Sequence, residues 1–443
     1  MKTPIFDFIE KYATKDSVRL HMPAHKGEKY IGVEPFDITE IQGADSLYHA
    51  DGIIAKSEKN ASKIFGANTF YSTEGSSLCI RTMVYLAVQY ATENGGKPLI
   101  LAGRNAHKSF INSCALCGAE VNWIYPQDKS NYLECNVSAE QVEKGIIESK
   151  PIAVYLTSPD YLGNILDVES IAKVCKKHGV LLMVDNAHGS YLKFLEKSLH
   201  PIDLGADMCS DSAHKTLFAL TGGAYLHLRK GLKLPVNVKS VMALFGSTSP
   251  SYLTLASLDI TNLELSKGYD LRLKEVTKRI HEIKQKLISC GYSLVGNEPL
   301  KLTIETKKYG YSGEEFYKIL STEKIECEYF DSDVIVMMFS TCNHESDFEK
   351  VEKVLLSVRK RSEIDRIAPK FIERKRVMSI RDAVMAKKRV VKVNDALGKV
   401  LAFDSVSCPP AVPIVVCGEK IDQNAIECFV YYGIEEVTVV EYK

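Results

Sequence analysis

Long hydrophobic runs are missing from this sequence. The first residues, Met1 to Asp7, contain no apolar core of signal-peptide length, and no later segment reaches the length of a transmembrane helix. We therefore expect a cytoplasmic protein that has no membrane partner.

An excess of charge of one sign is also missing. Lys and Arg together number 56, Asp and Glu together number 56, and no long run of one sign occurs. Nucleic acids and anionic membrane surfaces attract basic patches. The charge balance therefore predicts neither as a partner.

The twelve cysteines show no disulfide-like spacing. Cys79, Cys175 and Cys209 fit small buried side chains in a reducing compartment. Cys114 and Cys117 form a single CxxC pair, and a zinc site of this kind needs a second pair. We interpret the pair as two thiols on one helix face and predict no metal site.

Apolar strands alternate with helices through the first half of the chain. Residues 99–102, 121–125 and 180–184 are short apolar runs, and a helix predicted over 168–178 ends at Gly179. Continuous apolar strands separated by helices are typical of a parallel sheet. The fold class is therefore α/β, with a mostly parallel sheet flanked by helices.

Past the sheet region, one long helix is predicted over residues 262–290, because its apolar residues form a single stripe and Gly291 follows. Shorter strands and helices come after it, which predicts smaller α+β C-terminal domains. A chain of 443 residues exceeds what one core usually supports. We divide it into an N-terminal segment with active-site loops (1–50), a large domain (51–261), a small α+β domain (262–365) and a C-terminal domain (366–443).

Gly75, Ser76 and Ser77 lead directly into an apolar helix. The free backbone N–H groups and positive dipole end of a helix N-terminus bind phosphate, and serine hydroxyls add donors. The alternative is that Ser76 simply caps the helix, which is the commoner role of such a serine.

Lys215 lies in a polar stretch, between Ser212 and His214 on one side and Thr216 on the other. A lysine attacks a carbonyl only when it is unprotonated, which a partly desolvated pocket favours. Ser212 and His214 could bind phosphate in that pocket. The alternative is an ordinary surface lysine in a Ser-rich turn.

Two further residues complete a set. His107 follows a predicted strand, and Asp185 stands at the carboxyl end of another. Pyridoxal 5'-phosphate needs a phosphate anchor, a flat group against its ring, an acid at its pyridine nitrogen and an imine-forming lysine. Because all four kinds of residue occur in a compatible order, we predict that this cofactor binds here.

Five motifs carry a resemblance to a known family. They are residues 21–27 (HMPAHKG), 45–52 (DSLYHADG), 104–109 (RNAHKS), 185–189 (DNAHG) and 212–216 (SAHKT), and the Pro-rich segment 409–419 is similar to a sixth. The chain resembles the bacterial ornithine/lysine/arginine decarboxylases in their shorter form, which lacks an N-terminal wing domain. The resemblance runs nearly end to end and implies the aspartate-aminotransferase fold, with an active site shared across a homodimer.

The resemblance also implies roles for single residues. Lys215 would hold the cofactor as an imine, Asp185 would pair with the pyridine nitrogen, and His107 would stack on the ring while Ala187 covers its other face. The catalytic residues would be Lys215, Asp185 and His107. The predicted cofactor site comprises Gly75, Ser76, Ser77, His107, Asp185, Ala187, His188, Ser212, His214 and Lys215.

Five positions depart from the family's pattern. Glu74 stands where Asn is usual, Asn186 where an acid is usual, and Ala24 and Ala411 where Gly is usual; Cys408 replaces an aromatic residue. We expect the decarboxylation of a basic amino acid to agmatine or a diamine, and the sequence leaves arginine, lysine and ornithine open as substrates.

Two other functions remain open at this stage. An aminotransferase or lyase could use the same fold, with Arg359 or Arg361 holding the substrate carboxylate. A regulator that binds the cofactor without turnover is the other possibility.

Overall fold

The computed structural model describes residues 1–126, 131–403 and 410–441. Cys408 and Pro409 of the Pro-rich motif lie outside the described residues. No helix in the described ranges is long and apolar enough to cross a membrane.

Helices and strands alternate along most of the chain. The helices are α1 Pro4–Ala13, α2 Ile53–Phe65, α3 Gly75–Glu93, α4 Lys108–Cys117, α5 Ala139–Ser149, α6 Val168–His178, α7 Ala213–Thr216, α8 Val238–Phe245, α9 Tyr252–Leu265, α10 Tyr269–Ser289, α11 Gly313–Thr322, α12 Glu345–Ser357, α13 Ile380–Met385 and α14 Gln423–Tyr431. The strands are β1 Asn68–Ser72, β2 Leu99–Gly103, β3 Glu120–Ile124, β4 Ala153–Thr157, β5 Leu181–Asp185, β6 Met208–Asp211, β7 Ala224–Leu228, β8 Leu294–Val295, β9 Lys301–Glu305, β10 Tyr329–Phe330, β11 Val334–Met338, β12 Lys388–Lys392, β13 Leu401–Phe403 and β14 Glu436–Val440.

The large sheet has seven strands in the order β1-β7-β6-β5-β4-β2-β3. β2 pairs parallel with β3, and β5 pairs parallel with β6, whereas β7 runs antiparallel to both β1 and β6. Every residue of β5 and β7 is buried, as expected for strands covered on both faces. The predicted fold class, a mostly parallel sheet flanked by helices, is confirmed.

The described chain divides into two compact units. The first comprises Met1–Pro98, Pro151–Tyr155 and Val168–Arg272, and the second comprises the remainder, Leu99–Lys150, Leu156–Asp167 and Leu273–Lys443. Both units are discontinuous in sequence. The four-part division drawn from the sequence stays a prediction.

The prediction of one helix over residues 262–290 is wrong. The structure has two helices there, α9 and α10, and Gly268 between them adopts the left-handed conformation, with φ of +71°. A left-handed residue ends a helix because it turns the chain out of the hydrogen-bonded spiral. The predicted apolar stripe lies entirely in α10, where Leu273, Ile280 and Leu287 are all buried.

The second unit contains two smaller antiparallel sheets. One has the order β10-β11-β9-β8 and the other has the order β12-β14-β13. Helices α11 and α12 accompany the first sheet in sequence, and α13 and α14 accompany the second. These elements confirm the predicted α+β character of the C-terminal part.

A buried ion pair joins two of the sequence motifs inside the second unit. Arg104 donates to Glu419 at 3.2 Å and to the carbonyl oxygens of Pro413 and Ile414 at 2.9 and 3.1 Å. Both charged side chains are nearly inaccessible to solvent. A buried guanidinium requires this number of acceptors because desolvation of an unpaired charge is expensive.

Ala411 belongs to the same Pro-rich motif, and it stands where the family that the chain resembles usually has Gly. Its φ is +55°, in the left-handed region, and its carbonyl oxygen accepts a hydrogen bond from Lys108 N–H at 2.8 Å. An L-residue pays about 1–2 kcal/mol for this conformation. The departure from Gly therefore leaves local backbone strain at this motif.

We predict that Ala411→Gly has little effect on stability, within about 0.5 kcal/mol, because relief of strain offsets the lost methyl burial and the added chain entropy. Ala425 is the matched control, since it is equally buried but lies inside α14. Ala425→Gly should lower the free energy of unfolding by about 2 kcal/mol. Urea unfolding of both variants measures the difference, and equal losses would contradict strain at Ala411.

Candidate active site

Asp185 is the last residue of β5, and its side chain is buried. It accepts hydrogen bonds from the Tyr155 hydroxyl at 3.1 Å and from Ala187 N–H at 3.2 Å. Burial raises the pKa of Asp185, while the nearby charge of Lys215 and the two hydrogen bonds partly oppose that rise. The result is a desolvated carboxyl group with a high affinity for a proton or a cation.

Lys215 belongs to the short helix α7, directly after β6. Its Nζ lies 2.9 Å from Nε2 of His188, which is buried three residues beyond Asp185. Because β5 and β6 are parallel neighbours, with Asp185 opposite Ser210, their carboxyl ends bring the carboxylate and the amine to one edge of the sheet. The structure thus brings together Asp185, His188 and Lys215.

Gly75 is the first residue of α3, and Ser76 and Ser77 follow in its first turn. Glu74 is the residue that precedes the helix, so the alternative that Ser76 is the N-cap is wrong. Gly75 has φ of +67°, and its N–H donates to Gly222 at 2.8 Å. An added Cβ at Gly75 would meet only open space, which leaves this helix N-terminus accessible to an anion.

Ser212 and His214 flank the lysine. Ser212 is buried, and its hydroxyl has no hydrogen-bond partner among the described residues. Ser210 on β6 donates to the carbonyl oxygen of Ser76 at 3.4 Å, so the end of β6 and the first turn of α3 are neighbours. His214 instead contacts the Gly223 carbonyl oxygen through Nδ1 at 3.0 Å. Ser212 is therefore the better placed of the two to bind a phosphate.

His107 lies in the second unit, after β2, where it is the N-cap of α4. Its Nδ1 accepts a hydrogen bond from Ser109 N–H at 3.0 Å, which fixes the orientation of the ring. Its role of stacking on the cofactor stays a prediction.

Sequence reasoning missed four residues of this region, namely Tyr155, His200, Asp211 and His227. Tyr155 lies inside β4, where a hydroxyl in an apolar run is easily overlooked. Asp211 ends β6 next to β5, so its position at a strand end was the available signal. The two histidines come from other parts of the chain, and nothing in their local sequence connects them to the site.

Among the described residues, His200, Cys209 and Asp211 place one potential metal-ligand atom each within 4.8 Å of one another. The sequence predicted no metal site, and this group was not foreseen. Cys114 and Cys117 both lie on α4, as predicted.

Arg361, a candidate for carboxylate binding by an aminotransferase, is engaged elsewhere. Its guanidinium carbon lies 4.1 Å from the centre of the Tyr311 ring, and the side chain pairs with Glu315 at 3.8 Å. Arg359 is exposed. Neither arginine gives specific support to the aminotransferase alternative.

Comparison with known proteins gives matches over most of the chain. The profile described as Orn/Lys/Arg decarboxylase, major domain, matches residues 3–295. The arginine decarboxylase of Bacillus subtilis is 28% identical over 460 aligned positions, covering 96% of this chain and 92% of that relative. An arginine decarboxylase of Bacillus anthracis is 26% identical, with the same coverage of both chains.

Solved structures show the same fold. The lysine decarboxylase of Francisella novicida has a TM-score of 0.79 at 15% identity, and covers 99% of this chain and 81% of that one. Lysine decarboxylase A of Pseudomonas aeruginosa has a TM-score of 0.81 at 16% identity, with coverage of 99% and 80%. The predicted fold and the prediction of an amino-acid decarboxylase are confirmed, and the chain belongs to the ornithine/lysine/arginine decarboxylase family.

Proposed function

We propose that this enzyme decarboxylates arginine, lysine or ornithine with pyridoxal 5'-phosphate bound at Lys215. The observation that carries the proposal is the 2.9 Å contact between Lys215 and His188 beside the buried carboxyl group of Asp185. The arginine and lysine decarboxylases among its relatives support a basic substrate.

The residues present fit this cofactor. The buried hydroxyl of Ser212 lacks a partner within the described structure, and the first turn of α3, where Ser76 and Ser77 follow Gly75, can offer backbone N–H groups to a phosphate. Asp185 is an acid that can serve a pyridine nitrogen. When bound, the cofactor supplies a cationic conjugated ring that accepts the electron pair released as the carboxylate leaves.

His188 and Lys215 are placed to exchange a proton. Nε2 of His188 can accept a proton from the Nζ ammonium of Lys215, which leaves an amine able to attack a carbonyl carbon. Lys215 would then hold the cofactor covalently through Nζ.

Asp185 would keep a proton on the ring nitrogen of the bound cofactor. Its burial favours a proton shared with a cationic partner, and the bonds from Tyr155 and Ala187 N–H fix its orientation. The residues around the substrate must hold the bond to the carboxylate perpendicular to the ring, because only that bond overlaps the conjugated system.

We further propose that the enzyme works as a homodimer whose N-terminal loops complete the partner's site. The loop residues Val18, Leu20 and Ile31 are 86%, 90% and 82% exposed. Apolar side chains exposed together mark a surface that another chain covers. His25 in the same loop is held by Gly27 N–H at 3.0 Å and by Asp37 at 3.3 Å.

Borohydride reduction of the cofactor-loaded enzyme should attach the cofactor permanently to Lys215. Lys215→Ala should lose this label and at least about 10³-fold in activity, because the covalent attachment is lost. Lys197, an exposed lysine of the same unit, is the control, and Lys197→Ala should behave like the parent. Peptide mapping that finds the label on another lysine in Lys215→Ala would end this assignment.

Asp185→Asn should keep the fold and the cofactor but lose at least about 10²-fold in turnover, since a neutral side chain does not hold the ring nitrogen protonated. Asp203→Asn is the control, because the Asp203 carboxylate pairs instead with Lys193, at a distance of 2.6 Å. Steady-state carbon dioxide release measures both. Parental turnover in Asp185→Asn would show that this carboxyl only closes the end of β5.

Mixing inactive Lys215→Ala with inactive His25→Ala should restore about a quarter of the parental activity, because half of randomly paired dimers are hybrids and each hybrid has one intact site. A mixture of Lys215→Ala with Asp185→Asn is the control. Both of those residues belong to one unit of one chain, so no hybrid site is intact. Native mass spectrometry counts the hybrids. Hybrids without activity in the first mixture would place each site within a single chain.

A further inference from the structure

Asp211 ends β6 with a side chain inaccessible to solvent and accepts four hydrogen bonds. The donors are Asn186 Nδ2 at 2.7 Å, His200 Nε2 at 3.1 Å, His227 Nε2 at 3.3 Å and Cys209 Sγ at 3.3 Å. Burial opposes ionisation of Asp211, but its interactions with His200 and His227 outweigh it and lower the pKa of this carboxyl well below the ordinary value. Asp211 is therefore a buried carboxylate anion.

His200 and His227 both contact this carboxylate through Nε2. Burial lowers the pKa of His227, whose Nδ1 lies 2.9 Å from the Thr69 hydroxyl while Nε2–H donates to Asp211. His200 Nδ1 has no partner in the part of the chain that the structure describes, and its Nε2 faces Asp211.

Asn186 connects this anion to the active site. It directly follows Asp185, its N–H donates to the Ser210 carbonyl oxygen at 2.9 Å, and its side chain is fixed by Asp211. The same turn carries Ala187, whose N–H binds the carboxyl group of Asp185. We propose that Asp211 is a positioning residue for the reaction, which holds Asn186 and, through it, the turn that orients Asp185.

The proposal rests on the proposed function, because it assigns Asp211 a role toward the bound cofactor. Burial is the main cause that raises the pKa of Asp185, and the charge of Asp211 adds to it. The anion thus strengthens the hold of Asp185 on a proton. The titratable groups that surround Asp211 are Cys79, Asp185, His200, Cys209, Tyr225 and His227.

A metal ion is the competing occupant of this cluster, since His200, Cys209 and Asp211 could ligate one. In the structure His200 and Cys209 instead donate hydrogen bonds to the Asp211 carboxylate, which also accepts from Asn186 and His227, so hydrogen bonds alone satisfy it. Metal analysis of the purified enzyme separates the two arrangements.

The test compares Asn186→Ala, Asp211→Asn and the exchanged pair Asn186→Asp/Asp211→Asn in the cofactor-loaded enzyme. The first readout is the pH midpoint at which the visible absorption of the bound cofactor changes. The second is how far each variant changes kcat and how far it changes KM. Asp211→Asn removes the charge and should lower the midpoint by roughly one pH unit. Asn186→Ala keeps the charge, so its midpoint should stay near the parent's while kcat falls roughly tenfold with little change in KM.

The exchanged pair returns one carboxylate and one amide to the same contact, so it should recover most of both losses. Asp259→Asn is the control, because Asp259 is a buried aspartate that caps α1 through Ile5 N–H at 2.8 Å. It should lower thermal stability without moving the absorption midpoint.

The proposal is overturned if Asp211→Asn keeps the parental midpoint, if the exchanged pair recovers nothing, or if the enzyme holds stoichiometric metal that Cys209→Ala loses. Should Asp211→Asn fail to fold, a folded exchanged pair with recovered kcat supports the proposal, and an exchanged pair that also fails to fold overturns it. A parent that shows no cofactor absorption at all would refute the proposed function instead.

Discussion

The carboxyl group of Asp185 has been taken out of water at the end of a buried strand, and much of this site follows from that constraint. A buried acid needs donors and an opposite charge, and here Tyr155, the N–H of Ala187 and the charge of Lys215 provide them. Tyr155 reaches Asp185 from the adjacent strand β4, Ala187 from the turn after β5, and Lys215 from the helix after β6. The parallel sheet therefore determines the chemistry by deciding which side chains share one edge.

A second buried carboxylate, Asp211, lies on the neighbouring strand β6 and is stabilised by a different set of groups. His200, His227, the thiol of Cys209 and the amide of Asn186 donate to it, and the two histidines are the main groups that keep it ionised. The sequence departs from its family at Asn186, where an acid is usual. Because position 186 is an asparagine, Asp211 is the single acid at this contact. An acid at position 186 would place two carboxylates face to face, and they would repel each other.

The second unit also contains a buried charge. The guanidinium of Arg104 is buried against Glu419 and two carbonyl oxygens. This contact explains why the motif after β2 and the distant Pro-rich motif both carry a charged residue: each would be an unpaired buried charge without the other. Strain at Ala411 in the same motif shows that this packing also constrains the backbone.

The sequence by itself determined the mostly parallel sheet, the position of Asp185 at the end of a strand and the position of Gly75 at the start of α3. These depend on local patterns: apolar runs, strand ends and helix starts, read over a few neighbouring residues. It misjudged the helix over 262–290, where the left-handed residue Gly268 separates the end of α9 from the apolar stripe of α10. Only the tertiary structure brought His200, Asp211 and His227 together, because strand order joins residues that lie far apart in the chain and no local pattern records which strand ends become neighbours.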